Sequence, residues 1–293
     1  MNFPLTRSLV AGVLVLSACS DRSSTVSTGF VVSASQQETT VAQSPLESLW
    51  NLLVERAFAL VPEGLKDKSG KDVTVSDAWI VLKEIQFKSE EDATDAEETA
   101  DAASSDSDSS SDGTVSFKGP YVVDLLSEAP SPLAEGSVPS TGIRRVKMKL
   151  HKATGNDELP ADAPAELENM SVLLRGSVDG HAFSFLADET TVFQVAGPDA
   201  VEPQSGRSLV VAFGFNQLFD RIDLSAITAD TEITADNRVS ATDPCPEIEN
   251  NAQDLYTCFR KGLELTANFG VDENDDGDLS SEEPVVEAPA NGI

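Results

Sequence analysis

The chain has 293 residues, 40% of them hydrophobic, enough to bury a sizeable core in one large domain or two small ones. Its 50 acidic residues outnumber 20 basic ones and leave a formal charge of −30. A surface of that sign repels phosphate backbones, so nucleic acid is not an expected partner, whereas hydrated surfaces and divalent cations suit it.

Arg7 precedes an apolar run, Leu9–Ala18, that closes on Leu16-Ser17-Ala18-Cys19. The run is far shorter than the roughly 20 residues of a spanning helix. Leu16 also fits badly where an ordinary secretory cleavage site wants a small residue. The pattern resembles a bacterial lipoprotein signal: residues 1–18 are expected to be removed, leaving Cys19 as a lipid-carrying N-terminus attached to the membrane. The expected location is the bacterial cell envelope. Ser20, where an aspartate would signal inner-membrane retention, points to the outer membrane.

Residues 19–44, rich in Ser, Thr, Gln and Val without helical period, read as a flexible tether, with Val31, Val32 and Val41 leaving room for a little strand. From Leu46 to Val61 apolar residues recur every three or four positions, which predicts an amphipathic helix over Pro45–Val61 ended by Pro62 and Gly64. Then the period becomes two. Trp79, Val81, Ile85 and Phe87 are expected on one face of a strand from about Asp77 to Lys88, with Ile80 and Leu82 making its first half apolar on both sides. Val115–Phe117 and Tyr121–Leu126 follow, interrupted at Gly119-Pro120. Val146, Met148 and Leu150 alternate with Lys147, Lys149 and His151. Val172–Val178 and His181–Leu186 flank Asp179-Gly180, a hairpin signal. Val192–Val195 and Leu209–Phe215 complete the set. The expected fold is all-β, a β-sandwich of about seven or eight strands spanning residues 45–224, with a small helical C-terminal extension over 225–293.

Between two of these strands, Ser89–Gly113 carries ten acidic residues and no basic one. It cannot bury enough apolar surface to offset chain entropy and reads as a disordered insertion. After Leu224, Ile248, Ala252, Leu255, Tyr256, Phe259 and Leu263 have helical spacing. With Cys19 committed to lipid, Cys245 and Cys258 form an even remainder, and an oxidising compartment favours a disulfide between them over two buried thiols.

The order Trp79–Phe87 with Lys83-Glu84-Ile85, Val122–Leu126 with Asp124-Leu125-Leu126, Val146–Leu150 and Leu209–Phe215 resembles a β-sandwich domain of unknown function in bacterial envelope lipoproteins. The resemblance covers roughly residues 73–224. It implies the sandwich but brings no catalytic residues to transfer.

The sharpest local motif is the stretch from Asp272 to Glu283, which resembles an EF-hand calcium loop. Asp272, Asn274 and Asp276 would supply side-chain oxygens, Gly277 the sharp turn, and Asp278 its backbone carbonyl. Leu279 would point into the core, Ser280 would act directly or through water, and Glu283 would close the cage. Pro284 follows at once and no amphipathic helix comes after, so a structural calcium is expected rather than a sensor. A second candidate is Arg145, Lys147, Lys149 and His151, a basic strip on the polar face of one strand, where an anionic glycan or an envelope protein could dock.

Catalytic signals are thin. His151 and His181 are the only histidines, and neither sits in a GxSxG, HExxH or other readable setting. The expected role is therefore binding or structural rather than enzymatic. The alternative is an envelope enzyme or accessory acting on glycans through a carboxylate site.

Overall fold

The computed structural model describes residues 25–35, 64–89, 114–127, 133–139, 142–205, 207–245, 252–273, 279 and 285–287. Cys19 and the helix expected over Pro45–Val61 lie outside them, as does all of the acidic insertion except Ser89.

Two sheets enclose one core. The larger holds seven strands: β2 (Val73–Ser89), β3 (Thr114–Asp124), β5 (Ile143–Leu150), β6 (Val172–Val178), β7 (His181–Ala187), β8 (Val192–Val201) and β10 (Thr231–Ile233). The smaller holds five, in the order β14 (Val285–Glu287), β13 (Ala267–Asp272), β9 (Ser208–Gly214), β1 (Thr25–Ser35) and β4 (Ala134–Pro139). Strands β11 (Ser240–Cys245) and β12 (Ala252–Asp254) pair separately. Two short helices, α1 (Phe215–Arg221) and α2 (Leu255–Leu265), complete the described chain. The fold is all-β with a small helical part, as the alternating patterns predict.

Aromatic rings join the sheets. Phe87 of β2 meets Phe30 of β1 at 5.1 Å and Phe269 of β13 at 5.8 Å between ring centres, and Phe193 of β8 meets Phe213 of β9 at 6.5 Å. Such contacts add about 1 kcal/mol each to area burial. A second aromatic group gathers Phe183, Phe185, Phe219 and Phe259, through which both helices join the same core. The β6–β7 hairpin forms because Asp179 and Gly180 both take positive φ, 49° and 82°, as a tight two-residue turn requires.

Strand β2 is long enough to serve three neighbours. Trp79 and Ile80 pair with both β3 and β6, and Leu82 to Lys88 pair with both β3 and β5. A strand has two edges, so β6 and β5 lie end to end along one and β3 runs along the other.

Three expectations change. Trp79 and Val81 do not share a face with Ile85 and Phe87. A bulge at Lys83 shifts the register between Leu82 and Glu84, so one extra residue flips the alternation: Ile80, Leu82, Ile85 and Phe87 face the inter-sheet core, Trp79 and Val81 the opposite side. Secondly, residues 25–35, inside the segment read as a tether, form an eleven-residue strand between β4 and β9, parallel to β9. Its Val, Thr and Gly residues carry no period, so tertiary pairing decides the matter. Thirdly, the chain after Leu224 is not a helical appendage. β10 extends the large sheet beside β7, and β13 pairs with β9 along six residues. Periodicity identifies strands but not their partners, and only the pairing reveals this.

Cys245 and Cys258 are bonded, with Cα atoms 5.9 Å apart, tying β11 to α2. Closing a loop of this 13-residue separation is worth about 3 kcal/mol in the chain-entropy account. Asp254 caps α2 by accepting from the Thr257 N–H at 2.9 Å. Gly262 lets α2 approach α1, since a Cβ there would meet Leu218 Cδ1 at 2.6 Å.

Candidate ligand-binding face

The outer surface of the large sheet has two halves, divided at the Lys83 bulge. On one side Trp79 and Val81 join Leu173 of β6 and Leu186 of β7 beneath the connection from β5 to β6, which supplies Ala153 and Leu167. That half is a second, smaller core. On the other side nothing among these apolar side chains continues, and the outward positions become polar.

The registers set those positions in three rows across β3, β2, β5 and β8. Lys118, Glu84, Lys149 and Val192 form the first row. Ser116, Gln86, Lys147 and Gln194 form the second, and Thr114, Lys88, Arg145 and Ala196 the third. The inward partners Val146, Met148 and Leu150 are all at or below 1% exposure, which confirms the predicted half-buried alternation of β5. Five cationic side chains thus share a few strand spacings of one face, with Glu84 the single carboxylate in these rows. Gln86 Nε2 donates to Glu84 Oε1 at 3.0 Å, which holds that carboxylate along its own strand. Lys88 stands directly opposite Arg145, an arrangement that is destabilising for like charges unless an anion lies over them. The Nε of Arg145 is buried and has no hydrogen-bond partner among the described residues.

Arg145, Lys147 and Lys149 therefore occupy one surface, as their spacing predicts. His151 leaves it. One residue beyond β5, its Nε2 lies 3.2 Å from Asp157 Oδ2, and the same oxygen accepts from the Thr154 N–H at 2.6 Å and hydroxyl at 3.0 Å. His151 fastens the start of the covering connection; Arg175 to Glu166, at 2.8 Å, fastens its end. Lys88 and Lys118 belong to the face and escape the sequence reading. The signal was present: apolar residues 80 and 82 are followed by 85 and 87, with the polar pair Lys83-Glu84 at the change of parity.

The opposite end of the outer surface is acidic. Asp124 pairs across from Trp79, and burial pushes its carboxyl up from the ordinary range, partly offset by the Leu126 N–H, with Asp162 and Asp77 adding to the rise.

Of the calcium-loop residues, Asp272 ends β13 at 1% exposure, and Leu279 is buried against Val210 and Ala212 of β9. Asn274, Asp276, Asp278, Ser280 and Glu283 lie outside the described residues. The motif does not stand between helices. It joins β13 to β14, which pair antiparallel with Gly270 opposite Val285. Among the described residues no group of three or more His, Cys, Asp or Glu is gathered as a metal site.

In comparisons with known proteins, no family, no curated protein and no solved structure matches this chain.

Proposed function

We propose that this chain is a lipid-anchored protein of the bacterial cell envelope that works by binding, and that it captures an anionic glycan on the basic outer face of the large sheet. The supporting observation is the gathering of Lys88, Lys118, Arg145, Lys147 and Lys149 on one face of a protein whose formal charge is −30. Folding alone does not require this arrangement, because the outward positions of a half-buried strand tolerate most polar residues. Spaced cations on a pleated surface suit a repeating carboxylate or sulfate polymer, whose charges recur at comparable intervals. The Cys19 pattern supplies the anchor, and a calcium ion held by Asp272, Asn274, Asp276, Asp278, Ser280 and Glu283 serves structure.

The test is retention on an immobilised acidic polysaccharide, such as polygalacturonate, of the full chain and of the Lys147→Glu/Lys149→Glu variant. The variant is expected to bind at least about tenfold more weakly, each lost charge-assisted contact being worth about 1 kcal/mol or more, while its melting temperature stays close to that of the parent. Equal retention of both proteins, or turnover of the polysaccharide, would overturn the reading.

A further inference from the structure

The apolar half of the outer face is closed by a strap of irregular chain. Residues 154–168 form a loop whose base is pinned by two backbone bonds: the Ala153 N–H donates to the Met170 carbonyl at 2.9 Å, and the Asn169 N–H donates to the Ala153 carbonyl at 2.8 Å. Asn169, at φ 66°, turns the chain there. Within the strap Leu167 alone is fully buried; Leu159 and Ala163 pack half-buried on the same cluster, Trp79, Val81, Leu173 and Leu186. The N–H bonds of Ala163, Leu167 and Glu168 go to Pro160, Pro164 and Ala165, so they stay within the strap and hold nothing to the sheet. Two ion pairs fasten its ends, His151 with Asp157 and Arg175 with Glu166, and the second is worth little because the Glu166 side chain is 59% exposed. Lifting the strap therefore gives up one buried leucine and few bonds to the sheet, a local opening well short of global unfolding. What it uncovers is directional. Trp79, Leu173 and Leu186 stand side by side across β2, β6 and β7. Along β2 this patch runs into exposed Lys83 at the bulge, about 13 Å from Trp79 at strand rise, with Lys149 on β5 beside it. At the other end Asp124, opposite Trp79 on β3, lies near Asp77 and Asp162 and repels an anion.

We propose that the strap over Trp79, Val81, Leu173 and Leu186 is a lid on a site for a single alkyl or acyl chain, whose anionic head rests at Lys83 and Lys149. The proposal rests on the cationic half of the face used by the function proposed above, and adds to it a covered apolar subsite. The chain takes the place of Leu167, so apolar contact is exchanged for apolar contact, and the patch does not face water while the ligand is bound. Charge complementarity sets the orientation: the head is drawn to the lysines and turned away from Asp124, Asp77 and Asp162. Glu84 lies in the same row as Lys149, but Gln86 holds its carboxylate along β2. With the open state populated on the order of 1%, the closed strap reduces the apparent affinity about a hundredfold, and whatever loosens the strap restores it.

The experiment uses the full chain with Cys19→Ala, so that no lipid of its own competes, and Trp50→Phe, which leaves Trp79 as the single tryptophan. Dodecyl phosphate, kept below micelle-forming concentrations, is expected to change Trp79 emission saturably, whereas inorganic phosphate is not. Leu167→Ala should tighten the apparent affinity about tenfold by making the opening easier, the opposite of what loss of a merely structural contact would do. Lys83→Glu should weaken it about fivefold. Amide hydrogen exchange on the unaltered strap gives a second readout: bound dodecyl phosphate should speed exchange of the Leu167 and Glu168 N–H groups about tenfold and leave that of Leu174 in β6 unchanged. An emission of Trp79 that does not respond, weaker binding by Leu167→Ala, or strap exchange that slows or stays the same would overturn the proposal. Equal binding of neutral dodecyl maltoside would overturn the anionic head. Polygalacturonate, which has no alkyl chain, separates the two readings: its retention without a response to dodecyl phosphate leaves the glycan and removes the lidded site, and the converse result does the reverse.

Discussion

Two carboxylates near the divided sheet surface have been moved in opposite directions by their surroundings. Burial works against ionisation of Asp157, but the Thr154 N–H and hydroxyl and the adjacent His151 outweigh it and hold the carboxyl below its usual range. Asp124 is pushed up by burial, and the charges of Asp162 and Asp77 add to this. The signs follow from linkage. A depressed native pKa means that the contribution of Asp157 is complete above about pH 4 and is lost as pH falls through the native value. The raised pKa of Asp124 is a cost at neutral pH that disappears on acidification through its native value. Asp157→Asn should therefore be less stable than the parent at pH 7, by about 1–2 kcal/mol, with the gap closing toward pH 3. Asp124→Asn keeps an acceptor for the Leu126 N–H and should equal or exceed the parent at pH 7, then lose that advantage in acid. Denaturant unfolding across this range measures both; curves parallel to the parent's would refute the assignment. His151 explains why the strip was only partly legible. Alternation fixes which way its side chain leaves the strand, but Asp157, the partner that captures it, lies in an irregular connection where no period operates.

The bulge of β2 governs an element rather than a residue. If Lys83 took an ordinary place in the ladder instead of bulging, the residues from Glu84 onward would each turn to the other side, sending Gln86 and Lys88 into the core and Ile85 and Phe87 out. Lys83 itself is exposed, so its side chain carries little of this. Lys83→Ala should change stability by no more than about 0.5 kcal/mol, and deletion of Lys83, which leaves an unbroken alternation with the same residues facing the core, should keep unfolding cooperative. A deletion variant without a cooperative transition would show that the bulge itself, and not only the faces it sets, is required. Most strands were legible because one face is buried and the alternation strong. Gly119-Pro120 nevertheless does not divide β3, since Gly119 faces Leu82 O closely enough that a Cβ would lie 2.6 Å from it. Helix α1 was missed for a related reason. Phe215, Leu218 and Phe219 have helical spacing, but Phe215 continues the alternation of Leu209, Val211 and Phe213 and so read as the end of a strand.

At the scale of the molecule, the two sheets are completed by partners far apart in sequence. β1 borders β9, and β13, which follows the disulfide-tied helix, takes the other edge of β9. No local pattern encodes such neighbours, and this is why residues 225–293 read as an appendage. The calcium prediction belongs here, because the loop from Asp272 to Glu283 links β13 to the edge strand β14 and its Leu279 covers the back of β9. Calcium should bind with a dissociation constant on the order of 10⁻⁴ M and, at a hundredfold excess over that value, raise unfolding free energy by about 2.7 kcal/mol. Calorimetric titration of the parent and of Asp276→Ala decides it, and equal heats would assign the uptake to diffuse acidic surface.

The parallel seating of β1 has a mechanical consequence. Only residues 20–24 separate Cys19 from Thr25, six residue steps that span at most about 22 Å. With lipid on Cys19, as proposed, the body would be held close against the bilayer rather than at the end of a long leash. A pull transmitted from the membrane would then run along the axis of β1, between two neighbours to which it is bonded on both edges. Force in that direction slides strands past one another and strains many hydrogen bonds together instead of opening them one by one. The anchor would thus draw on a strand built to resist shear.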